Sequence, residues 1–441
     1  MSARRHQPKR RMVEALLADP VVAEAVAAHA LAQGLPEATV WRLVREYLDE
    51  MIPAFNPLVY HGVGHTAAKV LLALFYRTTV VERDPGAAAR LPAGSVVLYL
   101  MNHRSNADYV LASYALAGHV AISYAVGEWA RVFPLEYLFK SFGSYFIRRR
   151  YRESLYHAVL ERYVQAITRD GVTQGIFPEG GLTRDGHLRP VKIGLLDYLL
   201  GAAADPALAA RLHVVPVAMN YDRVLEDRTL LRELRIQQGG AAGSRWQQFR
   251  EVASYALANL GRASTGRWRR NGEAAVVIGA PIAVGPWLAS LTAAGARLAA
   301  RPRAERLAEV QRFCDGLMRE VGAIIPVTAV PLVCAALQTF DADYVGRGAL
   351  LARMAELTGA LREAGAVVPD SDRTAEERFE AAYRLLRMRR VLSRAGEGYL
   401  ILPRGRELVS YYANGVAHLC GDWEAAVRAR DALPIDRLIG R

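Results

Sequence analysis

The strongest constraint on this chain lies between residues 76 and 320, where short apolar runs alternate with helical patterns. The β-rich runs are TTVVE, SVVLYLMN, VAISYAV, SYFIRRR, VTQGIFPEGG, LHVVPVAMNY and AAVVIGAPIAV. Most are separated by stretches such as SLYHAVLERYVQAITRD, whose apolar residues recur at helical spacing. Strands alternating with helices form an α/β layer structure with a largely parallel sheet. The flanks differ in texture. Residues 12 to 75 read as helices, with a PAFNP break at 53 to 57, and the pattern from about residue 300 is helical again. The expected organisation is therefore a helical N-terminal region (1–75), an α/β domain (76–320) and a helical C-terminal region (321–441). The chain has 441 residues, 52% of them hydrophobic, enough for two or three packing units and against disorder.

The formal net charge is +12 and rests on Arg, since Lys occurs only at Lys9, Lys69, Lys140 and Lys192. Such a surface favours anionic partners: phosphorylated metabolites, coenzyme A, acyl carrier protein, anionic lipid or nucleic acid. Cys314, Cys334 and Cys420 are odd in number and widely separated, which argues against a disulfide framework or a zinc site and fits a reducing cytosol. The basic N-terminus is followed by MVEALLADP, which has no long apolar core, so a secretory signal is not expected. Two uncharged runs, Tyr109 to Gly127 and Val321 to Phe340, raise the question of membrane spans. The first is interrupted by Gly118 and His119 and reads as a helix followed by a strand. The second is broken by Pro326 and Pro331. Both read as buried core.

Chemistry is concentrated in three segments. In NHRSNADY, residues 102 to 109, Ser105 and Asp108 match a capping box before an apolar run, which would leave His103 a plain loop residue. A second reading places His103 in the loop at the carboxyl end of the strand VVLYLM, where α/β sheets bind ligands. Residues five apart on one helix lie about 140° apart around its axis. His103 and Asp108 therefore meet only if His103 is in the loop and Asp108 in the first turn. Asp108 would then orient the imidazole, leaving its other nitrogen to take a proton from a hydroxyl. GSYFIRRRYR, residues 143 to 152, ends a β-like run in Arg148, Arg149 and Arg150, which reads equally as a solvated basic turn. FPEGGLTRDGHLRPVKIG, residues 177 to 194, places Glu179, Gly180, Gly181, Arg184 and Lys192 after another strand. The segment also reads as a hairpin or loop, since Gly and Asp are ordinary turn residues, but paired glycines admit close approach to a ligand, and Arg184 suits a phosphate.

NHRSNADY, GSYFIRR, FPEGGLTR and VVPV, in this order and at these separations, resemble the four blocks of the glycerolipid acyltransferase superfamily. EGG followed by Thr183, Arg184 and PVKIG is similar to bacterial glycerol-3-phosphate acyltransferases and their dihydroxyacetone-phosphate relatives. VTAVPLVCAAL and SYYANGVAHL resemble the helical C-terminal extension of those enzymes. Two positions depart from the pattern: Asn106 stands where the family commonly has a second His, and Thr183 where it has Ser. The resemblance implies His103 as general base on a glycerol hydroxyl and Asp108 as its orienting partner, with direct transfer from a fatty acyl thioester. It also implies Arg148, Arg184 and Lys192 on the acceptor phosphate, Glu179 on its hydroxyls, and Arg149, Gly180 and Gly181 as further substrate-binding residues. Backbone N–H groups near the start of the helix after His103 are expected to meet the charge developing on the thioester oxygen.

No cofactor or metal is expected, with acyl-CoA or acyl-carrier-protein as co-substrate. The expected partners are glycerol 3-phosphate, the acyl thioester and an anionic membrane surface, with acyl carrier protein as one possible donor and no nucleic acid. The expected location is the cytoplasmic face of the cell membrane, without a span. Dihydroxyacetone phosphate and lysophosphatidate remain alternative acceptors, and a non-enzymatic anion-binding protein the alternative class. Phosphoryl transfer is disfavoured by the lack of a GxxxxGK[ST] loop.

Overall fold

The structure is a computed structural model that describes residues 9–53, 65–116, 122–127, 144–148, 153–237, 271–293, 298–369 and 372–420. Three helices come first: α1 (Lys9–Leu17), α2 (Pro20–Gln33) and α3 (Glu37–Met51). Local chemistry fixes α2 at both ends: Asp19 accepts from the Val21 N–H, Pro20 sits in the first turn, and Gly34 ends the helix at φ 64°. The chain continues through α4 (His65–Phe75), β1 (Arg77–Glu82), β2 (Val96–Met101), α5 (Asp108–Leu116), β3 (Ser123–Gly127) and β4 (Tyr145–Ile147). Next are α6 (Ser154–Arg169), β5 (Gln174–Ile176), α7 (Gly194–Ala202), α8 (Pro206–Ala209), β6 (Leu212–Tyr221), α9 (Asp227–Gln237), β7 (Glu273–Ile278) and β8 (Ile282–Ala283). The remainder is α10 (Val284–Ala293), α11 (Arg303–Ala323), α12 (Ala329–Gln338), β9 (Tyr344–Gly346), α13 (Arg347–Glu363), α14 (Ala375–Met388), β10 (Leu392–Ala395), β11 (Gly398–Ile401) and α15 (Arg406–Ala417).

The expected sheet is present and largely parallel. Its order is β1-β7-β6-β2-β5-β3-β4, with β8 on β6. The pairs β2–β6, β2–β5, β5–β3 and β3–β4 are parallel, as is β1–β7, whereas β6–β7 and β6–β8 are antiparallel. Strand β2 shows how the core is divided. Val97, Tyr99 and Met101 face one hydrophobic cluster, and Val96, Leu98 and Leu100 the other, as the two-residue period of a strand requires. Helices α1–α3, α6, α7 and α11 supply the second cluster, and α5 and α12–α15 the first. Cover on both faces is why β2 reads as an unbroken apolar run.

The C-terminal region differs from the all-helical expectation. Within it β10, β11 and β9 form a separate antiparallel sheet. These strands have three or four residues each, too few to display a period against the helices around them. Helix α11 also runs through residue 320 without a break. Among the described residues no single helix is long and apolar enough to cross a membrane, although α1 and α2, bent by 60°, pass that test together on length and composition. The run Tyr109 to Gly127 contains α5 and β3, while Gly118 and His119 lie outside the described residues. The run Val321 to Phe340 contains the end of α11 and the buried α12.

Candidate active site

The carboxyl ends of β2, β5 and β6 lie side by side, so the segments that follow them meet at one edge of the sheet. The loop after β2 is secured first by Asn102, whose side-chain amide donates to the Met219 carbonyl at 2.9 Å and accepts from the Met219 N–H at 2.8 Å. His103 follows in the loop and Asp108 begins α5, the one arrangement in which residues five apart can meet. His103 Nδ1 lies 2.9 Å from Asp108 Oδ2, with the two residues 2% and 0% exposed. An ionised Asp108 holds the proton on Nδ1 and leaves the Nε2 lone pair as the base. The imidazole stacks on Phe177 at 4.3 Å between centroids and meets Tyr109 edge-on at 5.6 Å.

Asp108 combines the two sequence readings. Its Oδ2 accepts from the backbone N–H of Arg104 (2.7 Å) and Ser105 (3.0 Å) while also contacting the imidazole, so the residue caps the turn and orients His103 together. Oδ1 accepts from the Tyr221 hydroxyl at 2.6 Å. Glu226 takes the remaining donors of the turn, Ser105 Oγ at 2.7 Å and the Asn106 N–H at 3.1 Å. The Ala107 N–H donates to Ser105 Oγ and the Asp108 N–H to the Ser105 carbonyl. The His103 N–H donates to Glu179. Every N–H from His103 to Asp108 is thus engaged inside the protein. None of these six groups is left for the thioester oxygen, because folding the turn consumes them.

The segment after β5 packs on this loop. Glu179 is 2% exposed, and its oxygens accept from the N–H of His103 (2.7 Å) and Arg189 (3.2 Å). Burial pushes its carboxyl up to about 7 against the opposing pull of those N–H groups and the Arg104 guanidinium. The expected contact with acceptor hydroxyls gives way here to support of the His103 backbone. Gly180 has φ +71°, and a Cβ there would lie 2.8 Å from Lys192 Cδ, so the stem of the exposed Lys192 crosses the glycine pair. Gly181 is half-buried beside it. Thr183 donates its N–H to the His103 carbonyl at 3.3 Å, and its hydroxyl organises Asp185 and Gly186. Arg184 pairs with Glu233 of α9 at 2.9 Å with both side chains about a third exposed, which leaves it free to exchange partners.

Arg148 is elsewhere. It follows β4, three strands from β2 and hence about 14 Å across the sheet at usual strand spacing. Its guanidinium forks onto Glu50 of α3, with Nε at 2.9 and 3.1 Å, and lies over the Tyr47 ring. That pairing docks the N-terminal helices rather than facing His103. Arg149 and Arg150 lie outside the described residues.

Reasoning from sequence missed four contributors. Tyr221 and Glu226 lie in and just after the run read as plain core, and their one signal was a position at a strand's carboxyl end. Arg104, 3% exposed, donates to the carbonyls of Gly186 and, at 2.7 Å, Gly415 of α15. Asn414 of α15 donates to the Asp185 carbonyl at 2.8 Å. Nothing in the local pattern of α15 announces contacts this distant in sequence. Among the described residues no group of three or more His, Cys, Asp or Glu is placed to hold a metal.

A family model described as Acyltransferase matches residues 87–220, and one described as Glycerol-3-phosphate acyltransferase C-terminal region matches residues 257–422. Curated proteins named glycerol-3-phosphate acyltransferase are similar to this chain. That of Pseudoalteromonas translucida is 23% identical over 93% of this chain and 50% of its own length. That of Aeromonas hydrophila is 25% identical over 92% and 49%. That of Pasteurella multocida is 30% identical over 51% and 28%. The chain spans about half the length of the full-coverage relatives, 50% and 49%. The solved 1-acyl-sn-glycerophosphate acyltransferase of Thermotoga maritima is 17% identical, covering 59% of this chain and 77% of that one at a TM-score of 0.31.

Proposed function

We propose that this chain is a glycerolipid acyltransferase that transfers a fatty acyl group from a thioester to a hydroxyl of glycerol 3-phosphate, giving lysophosphatidate, a reading supported by the two matching family models and the similar glycerol-3-phosphate acyltransferases. The observation that carries this reading is the buried contact between His103 Nδ1 and Asp108, which leaves Nε2 as the base. In the proposed reaction Nε2 takes the hydroxyl proton as the oxygen attacks the thioester carbonyl carbon. The tetrahedral intermediate collapses with cleavage of the carbon–sulfur bond, and the leaving thiolate recovers the proton from the imidazolium. No side-chain nucleophile or cofactor enters this scheme, and Asp108 stabilises the imidazolium throughout.

For the acceptor phosphate we assign Arg184 and Lys192. Both lie on the segment that packs against the His103 loop; Lys192 is exposed, and the pair of Arg184 with Glu233 is about a third exposed. Matching of residues 257–422 to a glycerol-3-phosphate acyltransferase region favours that acceptor over lysophosphatidate. Attachment to a membrane surface is proposed without a span, through Arg attraction to anionic lipid.

The test supplies purified protein with radiolabelled glycerol 3-phosphate and palmitoyl-CoA, then repeats it with acyl carrier protein as carrier. Label passing into the lipid phase supports the reading. His103→Ala and Asp108→Ala should each lower turnover by about 10² to 10⁴ while the protein stays folded. Near-native turnover of His103→Ala defeats the assignment, and transfer only to dihydroxyacetone phosphate or lysophosphatidate replaces the acceptor. Carbonate or high salt should release the protein from membranes; retention through both would establish an integral attachment.

A further inference from the structure

We propose that Tyr221 is a positioning residue that fixes the His103–Asp108 pair to the sheet, an inference that rests on the assignment of His103 as base. The donors that reach Asp108 Oδ2 are His103 Nδ1, Arg104 N–H and Ser105 N–H, all from the loop that carries the pair itself. They hold Oδ2 within the loop, which is itself tied to β6 through Asn102 and Met219, and leave Oδ1 to be fixed from elsewhere. The Tyr221 hydroxyl, 2.6 Å from Oδ1, comes from a different element.

That element is rigid. Tyr221 closes β6, is paired in register with Ala274 of β7, and has its N–H held by the Asn220 side chain at 3.0 Å. Asn220 itself donates to the Pro326 carbonyl at 2.9 Å. The Tyr221 ring packs on the Tyr76 ring at 5.4 Å between centroids. The phenol oxygen is therefore placed by the sheet. Burial and the neighbouring Asp108 carboxylate also hold the Tyr221 phenol well above its usual range, so the group stays a neutral donor at any working pH.

Asp108 is fully buried, so no water replaces a lost donor. Removing the Tyr221 hydroxyl has two opposed consequences. The carboxylate's charge is less dispersed and stabilises the imidazolium more, which raises the basicity of His103. Oδ1 is also left unbonded, and the carboxylate, held then only through Oδ2, can tilt about those contacts and carry the imidazole out of line with the acceptor hydroxyl. Orientation dominates catalysis here, because small misplacements of a reacting group cost far more than a modest gain in basicity returns.

The experiment compares the full chain carrying Tyr221→Phe, Tyr76→Phe or His103→Ala with the unaltered protein. For Tyr221→Phe, kcat falls about tenfold or more while KM for acceptor and donor each stays within about twofold, and the acid limb of the pH–rate profile moves up. Tyr76→Phe removes a hydroxyl from the same cluster but leaves kcat and the acid limb in place. A Tyr221→Phe protein with unchanged kcat and pH profile overturns the proposal, whatever happens to its melting temperature. If His103→Ala keeps its turnover, the underlying assignment fails instead, so the two failures are distinguishable. Should Tyr221→Phe not fold, 3,5-difluorotyrosine at 221 keeps the ring and hydroxyl while strengthening the donor. It shifts the acid limb down; an upward shift or none overturns the proposal.

Discussion

Glu179 shows how one residue's role follows from its surroundings rather than from its place in a motif. Its folded-state value of about 7 lies above the ordinary 4.5 because burial outweighs the N–H groups and the guanidinium around it. Between those two values the folded chain holds a proton that the unfolded chain has released, so this group's contribution to stability falls as pH rises. The slope approaches about 1.4 kcal/mol per pH unit in that window. Glu179→Gln should flatten the stability profile between about pH 4.5 and 7, measured by denaturant midpoints; an unchanged slope would show that Glu179 is ionised throughout. The arginines separate similarly. Arg184→Ala is expected to raise KM for the phosphorylated acceptor, whereas Arg148→Ala removes the fork onto Glu50 and should cost about 1–3 kcal/mol of stability with KM unchanged. Kinetics and chemical denaturation on the same two variants check both. His103 and Asp108 were legible in the sequence because a polar cluster directly after an apolar strand is a local pattern. Tyr221 was not, since its partner is 113 positions away and its own neighbourhood reads as core.

At the scale of elements, α15 is part of the site's frame although it follows β6 by nearly two hundred residues. Gly186 has φ +90°, and a Cβ there would lie 1.9 Å from the Tyr411 carbonyl oxygen, so the two backbones are in direct contact. Arg104 ties the same place together by reaching the Gly186 and Gly415 carbonyls. Gly186→Ala therefore meets both backbone strain and a clash, at a cost of about 1–3 kcal/mol for the strain alone. It is expected to lower stability and turnover together, and a variant of unchanged melting temperature would show that α15 is not seated there. Strands β9–β11 escaped detection for a related reason. Hairpin formation around Gly396, at φ +56°, is signalled by AGEG, but the sheet is completed only when β11 pairs with β9, which lies some fifty residues earlier. The large sheet was legible because its central strands β2, β6 and β7 are buried on both faces and read as continuous apolar runs.

For the whole molecule the question is whether the C-terminal region is an appendage or part of one cooperative fold. One hydrophobic cluster runs without interruption from Tyr99, Met101 and Val217 of the sheet to Val333, Phe379 and Tyr412 of α12, α14 and α15. Polar groups cross the same boundary. Asp222, after β6, accepts from the Val330 N–H at 2.9 Å and from the Glu273 N–H at 2.8 Å, and burial pushes its carboxyl up to about 6. Asp227 is paired with Arg389, 2.6 Å from Nη2, and with the Tyr412 hydroxyl. Removing residues 326–441 would leave Asp222, Asp227 and Arg104 short of partners, at about 1–3 kcal/mol each where the group stays buried. Three such losses amount to about 3–9 kcal/mol before any exposed apolar surface is counted, comparable with the 5–15 kcal/mol that holds a typical domain together. The truncated chain, ending at residue 325, is therefore expected not to fold, and the full chain to unfold in a single calorimetric transition whose van't Hoff and measured enthalpies agree. Two resolved transitions, or a cooperative melt of the truncated chain, would show that the α/β layer stands without the helices that cover it.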